Sequence, residues 1–144
     1  MRVLLASLAV SAALLVTPAL AAGPSYENGP VWDFAQVKSK DGHFDEYMKW
    51  LSTSWRGQQE ALKKAGYIMD YKVFVVADPR GEDPDIVLAT EYKNMAAMDV
   101  SVADSYAFAE KTMGPLEKTS KEQADRGSIR TLMGDVLTRE VILK

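Results

Sequence analysis

Between Tyr67 and Lys93 two β-rich runs, Tyr67–Ala77 and Asp85–Lys93, flank the Pro-, Gly- and Asp-rich loop Asp78–Pro84. This pattern predicts a β-hairpin. Alternation puts Tyr71 and Val73 on one face of the first run, with Phe74 and Val76 on the other. On the second run Ile86 and Leu88 oppose Val87 and Ala89. A sheet with one solvated side would set apolar against polar residues. Here both faces are apolar, so both need cover.

The rest of the chain extends this pattern. Val31–Lys38 predicts a strand with Trp32 and Phe34 on one face and Val31, Ala35 and Val37 on the other. A turn at Ser39–Gly42 leads into a helix from His43 to Ala65. Phe44, Tyr47, Met48, Leu51, Trp55, Leu62 and Ala65 form its apolar stripe, while Asp45, Glu46, Lys49, Arg56, Glu60, Lys63 and Lys64 form its wet face. Asp41 or Gly42 is the expected cap, and Gly66 the expected stop. Asn94 caps a second predicted helix, Met95–Met113, which Gly114-Pro115 interrupts. Leu116–Arg126 is charged and reads as a solvent-facing helical extension. Ile129–Lys144 predicts the last strand, with Leu132, Val136 and Ile142 on one face, Met133, Leu137, Val141 and Leu143 on the other, and a bulge at Gly134.

The N-terminus does not belong to this pattern. Arg2 precedes the apolar run Val3–Val16, and Pro18-Ala19-Leu20-Ala21 supplies the small residues of an Ala-x-Ala cleavage site. The expected organisation is a signal peptide over 1–21, cut near Ala21, a linker over 22–30 and one domain over 31–144. The apolar run falls short of the roughly 20 residues a spanning helix needs. The expected location is therefore periplasmic or secreted, with no membrane association after cleavage.

Composition narrows the field. Of 144 residues, 47% are hydrophobic and 26% charged, enough to bury a core. Loss of Arg2 changes the formal charge from −3 to about −4, which argues against a nucleic-acid partner. Cysteine is absent, so packing alone must hold the domain together.

Strand, helix, two strands, helix and strand with right-handed crossovers form an α+β, ferredoxin-like βαββαβ sandwich. The first and third strands would be central, with both helices on one sheet face. The other face, being apolar, calls for a second copy, so a homodimer is expected. The element order, the stretch Asp41-Gly42-His43-Phe44-Asp45-Glu46-Tyr47 and the closing Arg139-Glu140-Val141-Ile142-Leu143 resemble the dimeric α/β-barrel superfamily over Val31–Leu143. That superfamily contains cofactor-independent monooxygenases, haem-degrading enzymes, haem-dependent peroxidases, isomerases and members of unknown role. The resemblance transfers no catalytic set. A haem branch would want an axial His, and the one His stands at a helix start, so no cofactor is expected.

The candidate chemistry is sparse. His43 could act as a base or ligand, against a plain reading as an exposed helix-start residue; a lone His makes no metal site. Asp78, Glu82, Asp83 and Asp85 lack Ca²⁺-loop spacing and read as a wet turn. Asp70, Lys72 and Arg139 suit guarded sheet edges. Asp33 and Glu91 lie on the predicted central strands and are stronger pocket candidates. Phe44, Tyr47 and Trp55 follow the helical stripe of a core. Trp50 falls off that stripe and reads as a contact residue. The candidate ligand pocket comprises Trp32, Asp33, Phe34, His43, Tyr47, Trp55, Tyr71, Glu91 and Tyr92.

The leading expectation is an exported homodimer of unspecified role that binds a small, partly apolar molecule between sheet and helices. One alternative is a cofactor-independent monooxygenase or isomerase with Asp33, His43 or Glu91 as base. Another is a structural or protein-interaction module using Trp50 and Leu116–Arg126.

Overall fold

The computed structural model describes residues 23–144; the segment 1–21 read as a signal peptide lies outside the described residues. The chain runs through β1 (Tyr26–Ser39), α1 (Phe44–Trp50), a π-helical stretch (Leu51–Trp55), α2 (Arg56–Ala65), β2 (Asp70–Val75) and β3 (Ile86–Tyr92). It continues through a 3-10 turn (Met95–Met98), α3 (Val102–Met113), α4 (Leu116–Asp125), a second 3-10 turn (Arg126–Ser128) and β4 (Arg130–Leu143). The strands form one antiparallel sheet in the order β2-β3-β1-β4. This is the ferredoxin-like α+β arrangement, with β1 and β3 central as expected.

The first helical segment is continuous, as its apolar stripe requires. Its N-cap is His43 rather than Asp41 or Gly42, and no side chain caps it directly. The Ser52 and Thr53 hydroxyls both donate to the Lys49 carbonyl at 2.9 Å, drawing that acceptor away from regular helical pairing where the π-helical stretch begins. Gly66, at φ +80°, ends the segment, with Tyr67 N–H donating back to the Leu62 carbonyl at 3.0 Å. Tyr47, Leu51 and Trp55 pack on Val37, Ile86, Leu88 and Ile129 to form the core.

The second helix is divided. Asn94 caps only the 3-10 turn, accepting from Ala97 N–H at 3.1 Å. Ser101 then caps α3, accepting from Asp104 N–H at 3.1 Å while its hydroxyl donates to the Asp104 carboxylate at 2.6 Å. Ser101 and Asp104, polar residues within the predicted helix Met95–Met113, are thus a helix start.

One boundary differs from the sequence reading. β1 begins at Tyr26, inside the segment read as linker, because Tyr26, Glu27 and Asn28 pair with Leu143, Ile142 and Val141. The expected bulge at Gly134 is present, with φ +129°. Gln36 pairs with Gly134 and Val37 with Leu132, leaving Met133 as the extra residue. The bulge reverses the faces on either side of it. Leu132 joins Val37 on the helix side and Val136 joins Phe34 on the open side, so the two do not share a face as simple alternation implied.

The helices also fail to cover the whole sheet. α3 buries no residue and leans on the start of the hairpin, where Phe108 meets Tyr67 edge-on at 5.0 Å. From Thr131 to Leu143, β4 is exposed along its length. Among the described residues no helix is long and apolar enough to cross a membrane.

Candidate functional site

The sheet divides the predicted pocket between its two sides. Cross-strand register places Asp70, Glu91, Trp32 and Thr138 in one row, and Lys72, Ala89, Phe34 and Val136 in the next, both on the face without helices. Trp32 and Phe34 stack there at 6.0 Å, and Lys72 Nζ lies 5.0 Å from the Trp32 ring centroid. Asp33 and Tyr92 occupy the helix side. Trp32, Phe34 and Glu91 therefore do not form one pocket with Asp33, because neighbouring strand residues point to opposite faces.

Other members of the predicted set have structural roles. Tyr47 and Trp55 are core residues, as their helical spacing allowed. Tyr71 meets Trp55 edge-on at 5.4 Å. Its hydroxyl donates to Glu60 at 2.5 Å, an interaction that raises its pKa. His43 stands apart at the helix start, with Nδ1 2.8 Å from the Glu46 carboxylate. Trp50 is not an exposed contact residue: its ring stacks on Tyr47 at 5.6 Å and lies beneath the Arg126 guanidinium at 4.2 Å. Asp85 is more than a wet loop residue, since its carboxylate accepts from Ser39 N–H at 2.9 Å and ties the hairpin to the end of β1. Among the described residues no three His, Asp or Glu side chains are placed together to hold a metal.

Of the predicted set, Tyr92 reaches a cavity. The cavity has a volume of about 360 Å³ and lies between α2, α3 and the end of β3. Its wall is largely apolar, with Leu62, Ile68, Met98 and Phe108 among its residues. Gln59 also lines it. Although Gln59 is only 9% exposed, its Oε1 has no hydrogen-bond partner. A buried amide oxygen without a donor loses its hydration uncompensated. An apolar cavity of this size with a few directed polar groups has the form of a small-molecule site.

The electrostatics on this side of the sheet are distinctive. Burial raises the Asp33 carboxyl pKa, and Asp135 raises it further. Burial also raises the Tyr92 hydroxyl pKa, with the Asp33 charge adding to it. Asp33 thus acts on a cavity residue without lining the cavity itself. Tyr92 stays protonated as a donor, while Gln59 lines the cavity with its Oε1 buried and unpaired. Together these groups suit a neutral, mostly apolar molecule with a donor and an acceptor of its own.

Gln59 was missed by the sequence reading. Its signal is its position four residues after Trp55, a polar residue on the apolar stripe. Phe108 and Met98 were hidden because the split of the second helix alters the phase of its apolar positions.

No family model matches this chain, and no curated protein matches it. The chain is similar in structure to HapK from Hahella chejuensis at a TM-score of 0.51 and 9% identity, over 76% of this chain and 91% of that one. It also resembles a dimeric ferredoxin-like protein from an uncultured marine organism at TM-score 0.48 and 14% identity, over 82% and 90% of the respective chains. A third similar structure, at TM-score 0.41 and 18% identity over 78% and 95%, is a dimeric protein of unknown function and ferredoxin-like fold from Bacteroides fragilis. The likeness to HapK is one of fold.

Proposed function

We propose that this protein is an exported homodimer that binds a small, largely apolar, neutral molecule in the cavity between α2, α3 and the end of β3. The unpaired, buried Gln59 Oε1 in an otherwise apolar wall is the observation behind the binding reading. A bound donor would satisfy it. The dimer reading rests on the open sheet face, where exposed Phe74 and Val136 accompany Trp32 and Phe34. Export rests on the segment 1–21 and is checked by N-terminal sequencing of the secreted protein, which should begin at Ala22.

Native mass spectrometry of the purified protein, followed by ligand-observed NMR with neutral aromatic and alicyclic compounds, tests the binding reading. Ala109→Trp, on the cavity wall, should abolish binding. Gln59→Leu should weaken it several-fold, in line with loss of one hydrogen bond. Absence of any ligand, or equal binding in both variants, refutes the cavity as the site.

The raised Asp33 pKa beside Tyr92 favours a second reading, in which Asp33 is a general base of a cofactor-independent oxygenase or isomerase whose ligand reaches past Tyr92, since Asp33 itself does not line the cavity. Turnover of a bound ligand under oxygen, lost in Asp33→Asn with binding retained, would support it. Binding without turnover would leave the binding-protein reading.

A further inference from the structure

Two arginines meet the helical layer with no acid at ion-pair distance among the described residues. Arg126 opens the second 3-10 turn, and Arg130 begins β4 at only 9% exposure. Each lies against one member of the stacked Tyr47–Trp50 pair. The Arg126 guanidinium is 4.2 Å from the centre of the Trp50 ring, and that of Arg130 is 6.0 Å from the centre of the Tyr47 ring. Nε of both arginines is buried and has no hydrogen-bond partner. Among the described residues none of the ion pairs includes an arginine.

The nearby acids are engaged elsewhere. Glu122 attracts Arg126 from beyond ion-pair distance and pairs with Lys118 at 3.7 Å. Asp85 accepts from Ser39. Burial and then the Arg130 charge both lower the Arg126 pKa, so the two cations disfavour each other. Aromatic faces compensate a buried guanidinium only in part, and buried charges are ordinarily paired. Arg130 is the enclosed cation of the two, while Arg126 is half-buried and within reach of an anion from solvent.

A second cavity provides a route to one. It has a volume of about 640 Å³, lies between the π-helical stretch and α4, and includes Arg126, Lys118, Thr53, Ser54 and Ser120 in its lining, together with one carboxylate, Glu122, which pairs with Lys118. A guanidinium fork, an ammonium and several hydroxyls are the donors that an oxyanion needs.

We infer that Arg126, backed by Arg130, receives a small oxyanion, a carboxylate or a phosphate, through this polar cavity. The two cavities share Gln58, Thr112 and Met113 as a common wall. The charge lies on the far side of that wall from Gln59 Oε1, so the oxyanion site stands or falls independently of the apolar one.

Titration of the purified protein with inorganic phosphate and with acetate at low ionic strength tests this, read by the NMR shifts of the Arg126 and Arg130 Nε–H groups and by Trp50 fluorescence. A saturable shift of both Nε–H signals, absent in a matched chloride titration, is expected. Preference for phosphate or for acetate assigns the anion class. Arg126→Gln should weaken binding about tenfold or more, as loss of a charge-assisted bond implies, and Arg126→Lys should lose less. No saturable shift at tens of millimolar anion, or an unchanged affinity in Arg126→Gln, overturns the inference. Should Arg126→Gln fail to fold, the wild-type shifts and Lys118→Gln still decide. Weaker binding in Lys118→Gln supports the polar cavity as the route, and binding unaltered by it refutes that route.

Discussion

β3 and β4 flank the same strand, β1, and both are rich in branched apolar residues, yet they occupy opposite environments. Ile86 and Leu88 of β3, on the helix side, are buried. On β4, Val136 is 46% exposed and Leu137 44%. β3 lies between β1 and β2 beneath the first helical segment. β4 is an edge strand that extends beyond the helices, and α3 and α4 leave it uncovered. Similar side chains are buried or exposed according to what lies over them. An apolar edge strand exposed on both faces invites pairing with another chain, and this contrast underlies the dimer proposal.

The largest test of the contrast is in the core. Leu51→Ala, beneath the buried part of the sheet, should cost about 2–5 kcal/mol, read by urea denaturation. A truncating Val136→Ala on the open face of β4 should cost well under that in an isolated chain. If the two costs are alike, β4 is buried in solution and the dimer covers it.

Assembly is the next measure. Light scattering coupled to size exclusion should report a dimer at micromolar concentration, and Val136→Lys should convert it to a monomer with an unchanged circular dichroism spectrum. A wild-type monomer would break the dimer proposal outright.

A smaller effect probes the bulge that sets the faces of β4. Gly134 holds φ +129° with open space around its Cα. Gly134→Ala should therefore cost about 1–3 kcal/mol through backbone strain alone, visible in thermal melts.

The smallest effect concerns Asp33. Its pKa is raised in the folded chain by burial and then by Asp135. The protonated form is therefore favoured by folding, and this contribution is lost as pH rises through the folded pKa. Asp33→Asn should be slightly more stable than wild type at neutral pH. The difference should close as pH falls toward the ordinary carboxylate value of 3.8. A difference independent of pH would show that Asp33 is solvated like an exposed carboxylate.

Much of the fold was legible because it rests on local periodicity. The stripe Tyr47–Leu51–Trp55, the stop at Gly66, the hairpin loop and the irregularity at Gly134 each follow from spacing or from one residue's conformational freedom. The site was less legible. Alternation could separate Trp32 from Asp33, but it could not show that Tyr92 and α3 line one cavity, because that depends on where Ser101 restarts the helix. Gln59 was visible only as a polar residue on an apolar stripe, and Arg126 and Arg130 only as charges near a turn.

Strand order, the first helix and the apolar character of both sheet faces were thus determined by the sequence alone, since each follows from short-range patterning and turn chemistry. The side of the sheet on which each β4 residue lies, the cavity at Gln59 and Tyr92, and the unbalanced arginines beside Tyr47 and Trp50 were decided by tertiary structure. They arise where elements distant in the chain meet, and pairing and burial at such junctions depend on the relative position of whole elements.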